Sequence, residues 1–281
     1  MESLTEHFLS RRASKIDVEW GVKSYVQSFI SWSPFNSNFH AKSYLMKFAI
    51  LLSIISVVSS SIAPGEVHPQ LINAPHVHRL RPRKMAPLFK ANSVMPSEKF
   101  EQLSLADYRG KWTVLFFYPF DFTYVCPTEI VSFSEAVDEF KALNTEFIGV
   151  STDSHHTHLA WVRTPRDAGG LGKINFPLVA DISKRISASY GVLVEEEDDE
   201  MYGAAIRGLF LIDPKGKIRS VMMNDDQVGR SVNEIKRLVQ AFQYSDSHDG
   251  HVCPANWQPG DDTIKADQND KVEFFSKIGK K

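Results

Sequence analysis

The chain has 281 residues, a formal charge of -2, 43% hydrophobic and 23% charged residues, an ordinary globular composition with room for one domain and a substantial core. A charge so near neutral gives no electrostatic case for nucleic acid as a partner. Two cysteines, Cys126 and Cys253, exclude a disulfide scaffold and a four-cysteine zinc site, and leave material for a single redox pair.

The first third differs from the rest. Between Trp20 and Ser97 the only acid is Glu66, and residues 48–62 are apolar or serine throughout. That length suits a signal-peptide core and is short for a membrane-spanning helix. Lys47 precedes the segment and small residues follow it, so a secretory signal starting at Met46, a signal anchor and an organellar presequence all fit. The sequence "HRLRPRK" adds a transit-like feature, against which Glu2, Glu6, Asp17 and Glu19 weigh. Residues 1–84 are therefore expected to be a targeting extension toward the secretory pathway or endoplasmic reticulum, or an organelle such as the mitochondrion. A cytoplasmic location is the alternative.

Next comes "TVLFFYPF", Thr113 to Phe120, a continuous apolar and aromatic run that predicts a strand buried on both faces. The stretch from Pro127 to Asn144 places Ile130, Phe133, Val137 and Phe140 at helical spacing, with acids in its first turns where the helix dipole favours them. Glu146 to Thr152 predicts a strand, and His158 to Thr164 a helix stopped by Pro165. "FPLVAD" predicts a short strand, and "SKRISASYGV" a helix ending at Gly191. "GLFLIDPKGKIRSVMMN" predicts a hairpin around Pro214, Lys215 and Gly216. Ser231 with Glu234 three residues on has the capping-box pattern at the start of a last long helix. Strands alternating with helices, and one late hairpin, predict an α/β fold with a mixed sheet. Residues 85–245 form the expected domain, and 246–281 a polar, Gly/Pro-rich C-terminal arm.

Cys126 falls where the buried strand gives way to a helix. A thiol reacts as thiolate, and a helix N-terminus, with its unpaired N–H groups, favours that form. Pro127 suits the first helical turn, which needs no N–H. Thr123 is three residues upstream, within reach of the sulfur. Against this stands the bland reading of Cys126 as a small buried hydrophobe. Cys253 lies in "HVCPANWQPG", where a second thiol would condense with a sulfenic acid to a disulfide, or else be an inert tail cysteine.

Taken together, "PFDFTYVCPTEI", "AAIRGLFLID" and "HVCPANW" resemble the typical two-cysteine peroxiredoxins, from about Ala86 to Lys277. Pro119, Thr123 and Cys126 meet the family's Pro-x-x-x-Thr-x-x-Cys pattern in full. The resemblance implies a thioredoxin-like fold, a mixed central sheet flanked by helices with a C-terminal arm, and reduction of hydrogen peroxide and organic hydroperoxides. It makes Cys126 the peroxidatic cysteine and Cys253 the resolving one, attacking Cys126 of another subunit. Thr123 would hydrogen-bond the thiolate and the peroxide, Arg207 would hold both, and Pro119 would shield the sulfur from water. Glu129 and Arg230 match a network that orients the arginine. A homodimer, with five dimers often closing into a decamer, and a thioredoxin-like reductant are implied as partners. No Gly-rich dinucleotide or phosphate motif is present, so electrons are expected through thiol exchange, with no cofactor and no metal. Gly169 to Gly172 with Phe274 and Phe275 resemble the paired elements linked to overoxidation, although the family usually has Tyr-Phe at the second. Sensitivity to excess peroxide is expected, and the acidic run Glu195 to Glu200 is expected to be a solvated loop.

Two rival readings are open. His155, His156 and His158, or His248 and His251 beside Cys253, are candidate zinc ligands, against a plain reading as an exposed helix start and a polar tail. A holdase or peroxide-sensor role is also compatible with the family.

Overall fold

The computed structural model describes residues 80–278. Residues 1–79 of the expected targeting extension, including the apolar segment 48–62, lie outside them; residues 80–84 lie inside, where Leu80 packs on the core and the Arg83 N–H donates to the Ile218 carbonyl. Among the described residues no helix is long and apolar enough to cross a membrane.

Seven strands form one mixed sheet: β1 (Lys90–Val94), β2 (Phe100–Ser104), β3 (Trp112–Phe117), β4 (Thr145–Ser151), β5 (Leu178–Ala180), β6 (Arg207–Ile212) and β7 (Ile218–Asn224), in the order β2-β1-β5-β4-β3-β6-β7. The centre, β3-β4-β5, is parallel; β1, β2, β6 and β7 run antiparallel to their neighbours. Helices α1 (Val125–Glu135), α2 (Val137–Lys141), α3 (His155–Arg163), α4 (Arg185–Ser189) and α5 (Val232–Ser247) connect and cover it. A two-stranded ribbon, β8 (His251–Val252) with β9 (Ile264–Lys265), and helix α6 (Lys271–Ile278) make up the arm.

β3 is buried along its whole length because the sheet is covered on both sides. Its side chains alternate between faces. Val114 and Phe116 join the core under α1, α3 and α5, whereas Leu115 and Phe117 join a second core with Ile186, Tyr190 and Phe210. The expected strands at β3 to β5, the β6–β7 hairpin, and the helices ending at Pro165 and Gly191 are all present. Gly216 closes the hairpin and Gly191 follows α4, each with positive φ. This is the α/β, thioredoxin-like arrangement that the resemblance implied.

Three differences stand out. The single helix expected from Pro127 to Asn144 is two, divided at Ala136, whose N–H is shared between the Ser132 and Ser134 carbonyls. Ile130, Phe133, Val137 and Phe140 are nevertheless all buried, because the break preserves the apolar face. Glu129 does not serve the helix dipole; it turns inward to two arginines. At α5 the capping box is half made: Ser231 Oγ accepts from the Glu234 N–H, while the Glu234 carboxylate pairs with Arg237 instead of reaching back. The β1–β2 hairpin, β8, β9 and α6 had no sequence prediction.

Candidate active site

The topology gathers the site at one end of β3. The chain leaves β3 at Phe117, turns through 118–124 and enters α1. β6 runs antiparallel to β3, with Phe116 opposite Leu209, so its first residue, Arg207, lies beside that exit. Arg207 in turn pairs with Asn224 at the end of β7, and the following loop brings Arg230 back to the same place.

Cys126 lies in the first turn of α1, fully buried, and Pro127 follows in that turn as expected. Arg207 Nη1 donates to Cys126 Sγ at 3.4 Å and to Glu129 Oε2 at 2.8 Å, and its Nε donates to the Asp226 main-chain carbonyl at 2.8 Å. Nη2 makes no hydrogen bond among the described residues. Arg230 is held more completely. It grips both Glu129 oxygens, from Nε at 2.7 Å and Nη2 at 2.9 Å, and Nη1 donates to the Phe117 and Gly208 carbonyls. The Arg230 guanidinium also lies over the Phe116 ring, 5.4 Å from its centroid.

Two guanidinium groups and one carboxylate are thus taken out of water, with side-chain exposure of 3% or less. Such burial is sustained only where every charged group is hydrogen-bonded. Glu129 satisfies this by holding Arg230 in a planar fork and spending one oxygen on Arg207. The result is an arginine fixed against the sulfur, with one amino group unbonded among the described residues.

Pro119 is buried in the loop between β3 and α1. Thr123 is half-buried, and its hydroxyl donates to the Phe120 carbonyl at 2.9 Å rather than to the sulfur. Its oxygen therefore keeps its acceptor capacity. Of the seven sequence-predicted site residues, hydrogen bonds join Cys126, Arg207, Glu129 and Arg230; Pro119 and Thr123 lie in the loop that leads into α1, and Cys253 lies apart on the arm.

Cys253 lies on the arm, half-buried, with Sγ donating to the Ala241 carbonyl of α5 at 3.5 Å. Burial pushes its thiol up, an effect that Arg237 opposes. The loop carrying it is pinned by Trp257, which is 2% exposed: its carbonyl accepts from Arg237 and its ring N–H donates to the Asp261 carbonyl.

Behind the Cys126 loop lies a network that the sequence reading missed. Asp121 accepts from Tyr118 at 2.9 Å and lies 2.7 Å from His158 Nδ1, while His158 Nε2 faces the Val179 carbonyl. The Asp121 main-chain N–H donates to Asp153. Burial raises Asp121, and its bond to His158 counteracts the rise. His158 is therefore neither a metal ligand nor part of an exposed helix start, since both ring nitrogens are engaged in the interior. His248 and His251 are engaged with Tyr244 and Thr263. Among the described residues no group of three or more candidate ligands is placed to hold a metal. A cavity of about 810 Å³ lies at the opposite end of the sheet, by Trp112 and Arg219, away from the sulfur.

The profile of the AhpC/TSA family matches residues 82–221, and that of the C-terminal domain of 1-Cys peroxiredoxin matches 241–277. Peroxiredoxin-2 of Bos taurus is 57% identical over 194 residues, which cover 69% of this chain and 94% of the relative. The chain belongs to the peroxiredoxin family. Peroxiredoxin-4 of Bos taurus is 49% identical over 219 residues, 77% of each chain. Among solved structures, the reduced 2-Cys peroxiredoxin of Plasmodium vivax aligns with TM-score 0.66 and 40% identity, over 70% of this chain and 99% of that one. Thioredoxin peroxidase I of Plasmodium yoelii aligns with TM-score 0.56 and 45% identity, over 64% of this chain and all of the other. As a peroxiredoxin, the protein is a thiol-dependent peroxidase, an oxidoreductase.

Proposed function

We propose that the peroxidase cycle runs on Cys126 and Cys253 with Arg207, Thr123 and Pro119 shaping the peroxide pocket. The Cys126 thiolate attacks one peroxide oxygen. The O–O bond breaks, Cys126 becomes a sulfenic acid, and the departing alkoxide or hydroxide takes a proton to leave as alcohol or water. Arg207 Nη2, without a hydrogen-bond partner among the described residues, donates where negative charge develops on the leaving oxygen. Thr123 Oγ1 accepts from the peroxide O–H, and Pro119 keeps water off the sulfur. Glu129 and Arg230 hold Arg207 in place. The carrying observation is the 3.4 Å approach of a doubly anchored guanidinium to the Cys126 sulfur.

The second half of the cycle takes place between subunits. The Cys253 thiolate attacks the sulfenic sulfur, a disulfide forms and water departs. A dithiol protein of the thioredoxin type then reduces the disulfide by exchange. Because Cys126 is fully buried, the first turn of α1 opens before the two sulfurs meet. The functional unit is a homodimer, and a ring of five dimers is the assembly that the resemblance favours.

The test is to expose the reduced protein to stoichiometric peroxide, separate it under non-reducing conditions and map the linkage by mass spectrometry. A dimer joined by Cys126 to Cys253 is expected. Cys253→Ser should take up one peroxide and stop, and thioredoxin-supported turnover at the normal rate in that variant would overturn the resolving role.

A further inference from the structure

Helix α1 carries Cys126 in its first turn, yet Tyr124, its N-terminal cap, makes no side-chain capping bond. The place of that turn is therefore set by the loop before it, residues 118–124, and by whatever holds the loop. Within the loop Phe122 takes a left-handed φ of 57°, a conformation that a bulky side chain adopts only where its surroundings impose it. Asp121, the residue before it, is anchored at three points. Its main-chain N–H donates to Asp153 Oδ2 at 3.0 Å, its Oδ1 accepts from the Tyr118 hydroxyl at 2.9 Å, and its Oδ2 lies 2.7 Å from His158 Nδ1 on α3. Trp161, one turn along α3, packs its ring against those of Tyr118 and Phe122, with centroids 6.1 and 5.8 Å away.

The protons of this cluster can be counted. The side chains of Asp121 and His158 are both closed to solvent, so water supplies no partner. The Val179 carbonyl, 3.2 Å from His158 Nε2, can only accept, so Nε2 carries a proton. The 2.7 Å approach of Nδ1 to Oδ2 then requires a second proton on the line between them, since two lone pairs at that distance repel. An imidazolium donating to a carboxylate and a carboxylic acid donating to an imidazole both supply it. Tyr118 and Asp153 are the other ionisable groups that face the pair, with His155 one turn back on α3. No hydrogen bond joins the pair to Cys126 among the described residues, so its influence on the sulfur passes through the loop.

We propose that Asp121 and His158 are positioning residues for the peroxide step: the proton held between Nδ1 and Oδ2 latches the 118–124 loop to α3, and so fixes the first turn of α1, and Cys126 with it, against Arg207. With the latch undone, Phe122 relaxes out of its left-handed conformation and the uncapped turn loosens. The sulfur then no longer stands at a fixed distance from the guanidinium, and the alignment of thiolate and donor on which the peroxide step depends is lost. The inference rests on the assignment of Cys126 and Arg207 to that step.

The test compares Asp121→Asn with Asp121→Ala in the full, reduced protein, by stopped-flow with hydrogen peroxide. Asparagine can keep every bond: its oxygen accepts from Tyr118, and its amide donates to Nδ1 of a neutral His158 that still donates from Nε2 to Val179. Alanine keeps none. Asp121→Ala should react more slowly by about 10- to 100-fold, as a misplaced reacting group does, and Asp121→Asn should stay within about three-fold of wild type. An alanine variant as fast as wild type, or an asparagine variant as slow as alanine, overturns the latch. A second measurement needs no variant to fold: the wild-type protein should show a far-downfield, slowly exchanging proton resonance from the Nδ1 to Oδ2 bridge, and its absence overturns the latch as well. Cys126→Ser should retain that resonance and lose peroxide reduction. Reduction surviving there would refute the site assignment, a failure distinct from that of the pair.

Discussion

At the scale of single residues, the decisive group is Glu129, because it is shared. One carboxylate pairs with two buried arginines, one aimed at the sulfur and one tied to the sheet. Glu129→Gln keeps the shape but leaves two guanidinium groups against a neutral amide, a loss of about 3–5 kcal/mol by analogy with broken buried pairs. Denaturant unfolding should report that loss, and stability within about 1 kcal/mol of wild type would show that Glu129 is dispensable to the fold. Arg207→Ala removes a directional donor and should slow the peroxide step by about 10²-fold, read by stopped-flow with hydrogen peroxide. The grouping of Cys126, Arg207, Glu129 and Arg230 was legible through the family resemblance carried by the short pattern around Cys126 and the strand that Arg207 opens. Asp226 was not, since it contributes a main-chain carbonyl to Arg207, which any residue possesses. Asp121 and His158 were hidden for another reason: 37 residues separate them, and only the fold makes a buried pair of them.

At the scale of elements, α1 and the Cys253 loop form contrasting partners. Helices α3 and α5 start at serines whose hydroxyls cap them, whereas α1 starts at Tyr124 with no side-chain cap. An absent cap leaves the first turn weaker by about 1 kcal/mol, and that is the turn which has to open to release Cys126. The Cys253 loop is instead clamped by Trp257 and Arg237. Burial, the larger effect, raises the Cys253 pKa in the folded state. The folded loop therefore favours the thiol. That contribution to stability is fully present below the ordinary thiol pKa and is lost as pH rises through the folded value. In a Cys126→Ser background, iodoacetamide should label Cys253 more slowly in the folded protein than in denaturant near pH 8, with the difference shrinking at higher pH. Equal labelling rates near pH 8 would show that the loop does not hold the thiol. Strands were legible where they are apolar, as in β3, and not where they are short and polar, as in "KANSV" and "FEQLS", which become β1 and β2 only by pairing with each other and with β5. The division at Ala136 was likewise invisible, because it leaves the apolar periodicity intact.

At the scale of the whole molecule, the arm ends in a helix that is poorly covered by its own chain. Phe274 is half-buried, while Val272 and Phe275 are more than half exposed. The Gly169–Gly172 loop is braced by the Trp161 ring N–H and by Arg166, which also reaches Glu135 at the far end of α1. If α6 of a second copy packs over this loop, it delays the opening of α1 and prolongs the life of the sulfenic acid, exposing it to a second peroxide. Deleting residues 271–281 should then leave the first oxidation intact and reduce sulfinic acid formation at Cys126 under excess peroxide, read by mass spectrometry. Equal hyperoxidation with and without the helix would detach α6 from that role.

The pairing of Cys126 with Arg207 spans 81 positions, and that of Glu129 with Arg230 spans 101. On a chain growing from the ribosome, the cysteine emerges long before either arginine has been joined to it. Until the β6–β7 hairpin has been made and docked, Cys126 lacks the guanidinium that approaches it in the folded chain. The order of the residues thus leaves the sulfur and both guanidinium groups to be brought together by tertiary folding alone.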